Sequence, residues 1–244
     1  MRRFGLIGYS LKHSFSKKYF TEKFRQEGLI NCSYENFELQ QINDLPALLH
    51  AQPDLEGLNI TIPYKEQVIS FLDEMDEVVK TTGACNCIHI HNGKLTGFNT
   101  DAPAFQQSLQ QHLQPHHRSA LVLGTGGASK AVCFALTQLK IDFQLVSRNR
   151  KENHLTYDGV TPELLRKYFI IINTTPVGMF PDVDDAPLLP YHSLSKQHLL
   201  FDLVYNPEKT KFLVCGEQQG ATIVNGHKML VLQAEESWKI WNSR

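Results

Sequence analysis

The feature that most constrains the fold is Ala120-Leu121-Val122-Leu123 running directly into Gly124-Thr125-Gly126-Gly127-Ala128-Ser129-Lys130-Ala131. A short, continuous apolar run reads as a strand buried on both faces, the kind found in parallel sheets. The glycines then open a helix that carries Val132, Phe134, Ala135, Leu136 and Leu139. A glycine-rich turn from strand to helix lets the backbone approach a pyrophosphate, which rests on the helix N-terminus. On this logic Gly124, Gly126, Gly127 and Ala128 form a dinucleotide loop, in the strand-then-helix context such a loop requires.

The next strand, 143–146, ends in Ser147-Arg148-Asn149-Arg150-Lys151. An NAD site carries an acidic residue about 20 residues after the loop to hold the ribose 2′-hydroxyl, whereas a basic residue there suits a 2′-phosphate. Three cations with no carboxylate before Glu152 point to NADP, with Ser147 and Arg148 at the phosphate. Arg150 and Lys151 read equally well as solvated loop charges. Two more buried strands, 169–173 and 199–203, end in Asn173-Thr174-Thr175-Pro176 and Val204-Tyr205-Asn206-Pro207, so Asn173 and Thr174 fall at the edge that carries the glycine loop. A helix over 209–219 and a strand over 222–224 lead to Asn225-Gly226 and a closing helix with Leu230, Ala234, Trp238 and Trp241 on one apolar face. From spacing alone Gln233, near that helix's start, is an ordinary exposed residue.

The first half also alternates strand and helix. A strand at 4–8 precedes a hydroxyl-rich loop and a helix with Phe20 and Phe24 four residues apart, for which Ser16 is the expected N-cap. Ser14 and Ser16 read as caps or as ligand contacts, since such loops at strand ends are where open α/β sheets bind ligands. A strand over 33–37 and a helix over 42–51 follow. In Gly57-Leu58-Asn59-Ile60-Thr61-Ile62-Pro63-Tyr64-Lys65, Asn59 and Thr61 share one face at strand period. Pro63 suits a first helical position, which places Lys65 in a first helical turn, where the positive end of the dipole would oppose its charge. That is a place for a catalytic Lys, although any single Lys also reads as a surface residue. Asn92-Gly93 between two alternating runs is a hairpin signal. Asn86 stands at its head, and Asp101 just past its end, opening a helix with Phe105, Leu109 and Leu113, either as N-cap or in a functional role.

The chain has 244 residues, 42% of them hydrophobic and 20% charged, and a formal net charge of −1. Those values fit one large or two modest globular domains and argue against disorder or a nucleic-acid surface, leaving small-molecule chemistry as the default. No apolar run approaches the roughly 18 residues of a membrane span, and the N-terminus enters a strand with no signal-peptide core, so the expectation is a cytoplasmic protein without membrane partners. The five cysteines are scattered and odd in number, and read as free thiols. Cys85 and Cys87 lack a second pair and His112, His116 and His117 fall in a wet loop, so no metal is expected.

Taken together these motifs resemble the shikimate dehydrogenase family over almost the whole chain. The matching segments are Ser14-Phe15-Ser16, Asn59 to Lys65, Gly83-Ala84 leading to Asn86, and Gly97-Phe98-Asn99-Thr100-Asp101. In the second half they are Gly124-x-Gly126-Gly127-Ala128, Asn173-Thr174-Thr175, Asp202-x-x-Tyr205-x-Pro207 and Gly226-x-x-Met229-Leu230-x-x-Gln233-Ala234. The resemblance implies two α/β domains: a substrate domain with a mostly parallel sheet, residues 1–101 plus 226–244, and a Rossmann-type NADP domain, residues 102–225. It implies reversible NADPH-dependent reduction of 3-dehydroshikimate to shikimate, a step of aromatic amino-acid biosynthesis. Ser14 and Ser16, with Tyr205, would hold the carboxylate, and Asn59, Thr61, Lys65, Asn86, Asp101 and Gln233 would surround the ring hydroxyls. Lys65 coupled to Asp101 would be catalytic, and Gly226 would lie at the cofactor. The family implies a monomer or homodimer. Three departures stand out: Lys17 where relatives have Pro, Ser147-Arg148-Asn149 for Asn-Arg-Thr, and Lys228 for a glycine. A quinate or dual-specificity dehydrogenase, and a catalytically silent ligand-sensing relative, are the alternative readings.

Overall fold

The computed structural model describes residues 1–11, 14–149 and 153–243; Arg150 and Lys151, named above, lie outside the described residues. The chain divides into two units, Met1–Thr100 with the stretch from Ala234 onward, and Asp101–Gln233. The return to the first unit therefore falls inside the closing helix, eight residues beyond the 225/226 break read from the sequence.

In the first unit, β1 (Arg2–Gly8), α1 (Phe15–Gln26), β2 (Cys32–Glu38), α2 (Leu45–Ala51) and β3 (Leu55–Ile60) follow one another. Strands joined through crossover helices pair in parallel, and β1 pairs in this way with both β2 and β3. After β4 (Glu74–Met75) and α3 (Glu77–Thr82), the hairpin of β5 (Cys87–His91) and β6 (Lys94–Phe98) adds antiparallel to β3. The sheet order is β2-β1-β3-β5-β6-β4. Asn92 and Gly93 turn the hairpin with φ of 51° and 75°, the left-handed pair that a two-residue connection favours. The core is aromatic: Phe20 stacks on Tyr34 at 4.6 Å and Phe4 on Trp241 at 4.9 Å, and the Trp241 indole N–H donates to the Ile88 carbonyl at 2.9 Å. A β-carbon on Gly57 would collide with that indole, so only glycine lets β3 pass beneath the ring.

Local expectations fail at two places in this unit. The N-cap of α1 is Ser14, whose hydroxyl accepts from the Lys17 N–H at 3.4 Å, while Ser16 lies within the helix and is buried. No helix begins at Pro63. The Ile62–Pro63 bond is cis, the Tyr64 N–H closes a turn on the Thr61 carbonyl at 2.9 Å, and the Lys65 carbonyl accepts from the Cys85 N–H at 2.7 Å. That carbonyl is used by a neighbouring segment rather than a helical ladder, and only a short 3-10 helix, Gln67–Phe71, follows. Lys65 thus sits in a turn, and the helix-dipole argument for it does not apply. Asn59 is buried in β3 rather than on a polar strand face, and Thr61 falls just beyond the strand.

The second unit runs α4 (Asp101–Gln110), β7 (Ser119–Leu123), α5 (Gly127–Gln138), β8 (Asp142–Ser147), β9 (His154–Thr156), α6 (Pro162–Leu165), β10 (Ile170–Asn173), β11 (Leu199–Asp202), α7 (Lys211–Gln218) and β12 (Thr222–Val224), and enters α8 (His227–Asn242). Its strands pair in parallel throughout, in the order β12-β11-β10-β7-β8-β9. Counted from β7 this is the 3-2-1-4-5-6 order of dinucleotide-binding sheets, with its reversal between β7 and β10. Leu121, Val122, Ile171, Ile172, Leu200 and Phe201 are fully buried, as continuous apolar strands predict. The short elements β4, α3, β9 and α6 carry no periodic signal in the sequence, because neighbouring strands and caps define them. His117 does not lie in a wet loop: it is buried, its Nδ1 accepts from the Gln114 N–H at 2.9 Å, and Nε2–H donates to the Gln197 carbonyl at 3.0 Å. Burial holds its pKa below the ordinary value. No helix among the described residues is long and apolar enough to cross a membrane.

At the end of β11, Asp202 is buried and accepts from Thr210 Oγ1 at 2.6 Å, the Val204 N–H at 3.0 Å and Asn173 Nδ2 at 3.0 Å. Desolvation outweighs these bonds and pushes its carboxyl up to about 6 from an ordinary 3.8. The folded protein keeps this proton at pH values where the unfolded chain has lost it, so this group's contribution to stability declines as pH rises from about 4 to about 6. Above that the penalty levels off at about 3 kcal/mol. Asp202→Asn removes the ionisation. The difference in Tm, variant minus wild type, should climb between pH 4 and pH 6.5 and flatten above; a difference independent of pH over that range would show that the carboxylate carries no burial penalty.

Candidate active site

The residues singled out in the first unit gather at one edge of its sheet. Ser14 and Ser16 follow the carboxyl end of β1, and Thr61 and Lys65 follow that of β3. Because β5 runs antiparallel to β3 and β6 antiparallel to β5, Asn86 at the start of β5 and Thr100 just past β6 come to the same edge. A buried amide ties these loops together. Asn59 Oδ1 accepts from the Tyr34 phenol at 2.8 Å, while Nδ2 donates to Ser237 Oγ at 2.8 Å and to the Asn86 carbonyl at 3.3 Å. Asn86 Oδ1 accepts from the Thr100 N–H at 2.7 Å and its Nδ2 donates to Thr100 Oγ1 at 3.0 Å. Asp101 is the first residue of α4 and is buried. Tyr34 is fully enclosed, and burial raises its phenol well above the ordinary range. Cys85, close by, is likewise pushed up to about 12 by burial, which leaves it a thiol at neutral pH.

The second unit assembles its own edge. Since its strands are parallel, the exits of β7, β8, β10, β11 and β12 all lie on one side and carry Gly124, Ser147-Arg148, Asn173-Thr174, Tyr205 and Gly226. Gly124 has φ +109°, and a β-carbon there would lie 2.6 Å from Thr174 Oγ1, which itself donates to the Leu123 carbonyl at 2.6 Å. The glycine therefore permits both the turn and the close approach of the next loop. At Gly126, the N-cap of α5, a β-carbon would meet nothing within 4 Å. Gly127 and Ala128 open the helix, and the N-cap before them borders open space, as a pyrophosphate site needs. Ser147 donates to the Asn149 carbonyl and shapes the turn that leaves Arg148 exposed.

Other expected contacts turn inward. Asn173 is fully buried: Nδ2 donates to Asp202 Oδ1 and the Val177 carbonyl, and Oδ1 accepts from the Thr175 N–H and hydroxyl. Its amide braces the β10 and β11 exits. A β-carbon on Gly226 would collide with the Leu203 carbonyl oxygen, so that glycine serves a backbone crossing. Gln233 is buried rather than exposed, with Nε2 donating to the Leu230 carbonyl at 2.9 Å. Tyr205 belongs to the second unit and is half-buried, which raises its phenol above the ordinary value. Lys17 forms an ion pair with Glu35 at 2.7 Å, and Lys228 bonds Gln111. Sequence reasoning missed Tyr34 and Ser237. Ser237 lies four residues beyond Gln233 on α8, a spacing that could have flagged it; Tyr34 carries no such mark. Among the described residues, no group of three or more His, Cys, Asp or Glu side chains is arranged to hold a metal ion.

Known proteins resemble this chain over nearly its whole length. Residues 6–88 match the family model described as the shikimate dehydrogenase substrate binding domain. The chain is 35% identical over 258 residues to the shikimate dehydrogenase (NADP(+)) of Methanococcus maripaludis, covering 98% of this chain and 91% of that one. It is 36% identical over 256 residues to the enzyme of the same name from Carboxydothermus hydrogenoformans, covering 97% and 90%. Among solved structures, the shikimate 5-dehydrogenase of Thermus thermophilus, in complex with NADP(H) and shikimate, superposes with a TM-score of 0.88 at 31% identity over 99% of this chain and 94% of that one. Similarity of this extent, running through both units, means that the chain belongs to the shikimate dehydrogenase family.

Proposed function

We propose that the protein is an NADP-dependent shikimate dehydrogenase that interconverts 3-dehydroshikimate and shikimate, with the first unit holding the ring acid and the second the dinucleotide. The observation that carries this reading is the polar edge of the first sheet, where Ser14, Thr61, Lys65 and Asn86 leave three separate loops at one end of the strands. Ser14 and Ser16 would receive the carboxylate. Asn86 and Thr61 would offer hydrogen bonds to ring hydroxyls. A polyol so surrounded is selected by pairing, because an analogue missing one hydroxyl leaves a polar group without a partner.

Gly124, Gly126, Gly127 and Ala128 would hold the pyrophosphate, with Thr174 packed beneath the loop and Asn173 bracing it. Arg148 would pair with the 2′-phosphate, and Ser147 fixes its turn. When bound, NADPH supplies the hydride. Lys65 holds a proton at Nζ, steadies the negative charge that grows on the ring oxygen during reduction, and delivers the proton there. The family resemblance assigns Asp101, as well as Lys65, to the catalytic step.

The test is oxidation of shikimate and of quinate with NADP+, followed by absorbance of the reduced cofactor. Shikimate should be preferred, since quinate's tetrahedral carbon brings an extra hydroxyl that needs room and a partner; the expected ratio in kcat/KM is about 100-fold. Comparable values would make the enzyme a dual-specificity dehydrogenase, and turnover of neither acid would make the chain a silent relative. Lys65→Ala should lower kcat by about 100-fold or more with a smaller change in KM, because its main work is on charge that exists only in the transition state. An unchanged kcat with a raised KM would remove Lys65 from the chemistry. Arg148→Ala should raise the KM for NADP+ roughly ten- to hundred-fold and leave that for NAD+ nearly constant. Equal losses for both cofactors would instead assign Arg148 to a group they share.

A further inference from the structure

Tyr34 lies in β2, 2% exposed, with its ring stacked on Phe20 at 4.6 Å and an interplanar angle of 13°. A phenylalanine would fill that position in the aromatic core equally well, so the hydroxyl needs a reason. Its O–H donates to Asn59 Oδ1 at 2.8 Å, and the Ser16 hydroxyl is the side-chain group set against the same phenol oxygen. On the far side, Asn59 Nδ2 is taken by Ser237 Oγ at 2.8 Å, and Ser237 Oγ lies 3.4 Å from Thr100 Oγ1. The Asn86 carbonyl, which can only accept, also faces Asn59 Nδ2 at 3.3 Å and fixes the orientation of the amide, so its oxygen is left to accept from the Tyr34 phenol. A buried neutral hydrogen bond adds little net stability, but it fixes the direction of the groups it joins.

We infer that Tyr34 is a positioning residue for the ring acid: its phenol joins Ser16, in the first turn of α1 two residues after Ser14, to Asn59, beside the loops that receive the ring hydroxyls, and so sets the spacing between the two ends of the substrate. This rests on the proposed function. The geometry gives Tyr34 no direct role with the dinucleotide, which is held by loops of the other unit. Loss of the hydroxyl should therefore weaken the acid alone.

The test is steady-state kinetics of Tyr34→Phe, which keeps the ring and its stacking, with Tm measured alongside. The KM for shikimate should rise by about ten-fold, the scale of one hydrogen bond, with the KM for NADP+ within about two-fold of wild type and kcat lowered less than KM is raised. If the phenol acts through Ser16, the double variant Ser16→Ala/Tyr34→Phe should be no worse than Ser16→Ala alone. Ser237→Ala, which frees the other side of the same amide, provides an independent variant should Tyr34→Phe fail to fold, and should shift the same constant in the same direction. A lower Tm with both KM values unchanged, or equal rises in both, would reduce Tyr34 to a packing residue. Failure of the functional reading is distinguishable, since the wild-type protein would then neither oxidise nor bind shikimate; the inference would fall with it.

Discussion

A strand that ends in the middle of a sheet leaves a fan of polar loops above a dry core, and something must hold those loops in register. In each unit a buried asparagine amide does this. Asn59 joins β2, the β5 entrance and α8 through Tyr34, the Asn86 carbonyl and Ser237. Asn173 joins the β10 exit to Asp202 at the end of β11 and to its own loop. Every donor and acceptor of an amide so placed has to be met, because an unmet one costs about 1–3 kcal/mol. Rigidity at the edge is thus a consequence of satisfying buried polar groups.

This division of labour separates residues open to solvent from those that brace the loops. Gly126 and Arg148 face open space or solvent. Asn173, Gly226 and Asn59 are turned into the fold, and their value lies in where they put their neighbours. Asp202 illustrates the cost of such bracing: a carboxyl that organises the Asn173 loop and the Thr210 cap of α7 does so against its own desolvation. The departures from the family pattern are similarly local. Lys17 is paired with Glu35 on β2, and Lys228 reaches Gln111 beyond α4, so each has a partner within its own unit.

What the sequence determined by itself follows from periodicity and from glycine. The continuous apolar strands at 120–123 and 199–203, the Asn92-Gly93 hairpin, the glycine loop before α5 and the tryptophan face of α8 are local patterns with few physical alternatives, and each has its place in the structure, the second strand ending one residue earlier, at Asp202. Tertiary structure decided the rest. Lys65 reads as helical until the Cys85 N–H is seen to take its carbonyl, and Gln233 reads as exposed until the fold covers it. Ser16 looks like a cap, yet Ser14 takes the cap, because a small difference in where the backbone turns settles which hydroxyl meets the free N–H groups. Tyr34 was invisible for a deeper reason: its phenol bonds Asn59, 25 residues away in sequence and 2.8 Å away in space. Pattern reveals which residues are buried, whereas the hydrogen-bond partner of a buried polar atom depends on how distant segments pack, and that is decided only when the chain has folded.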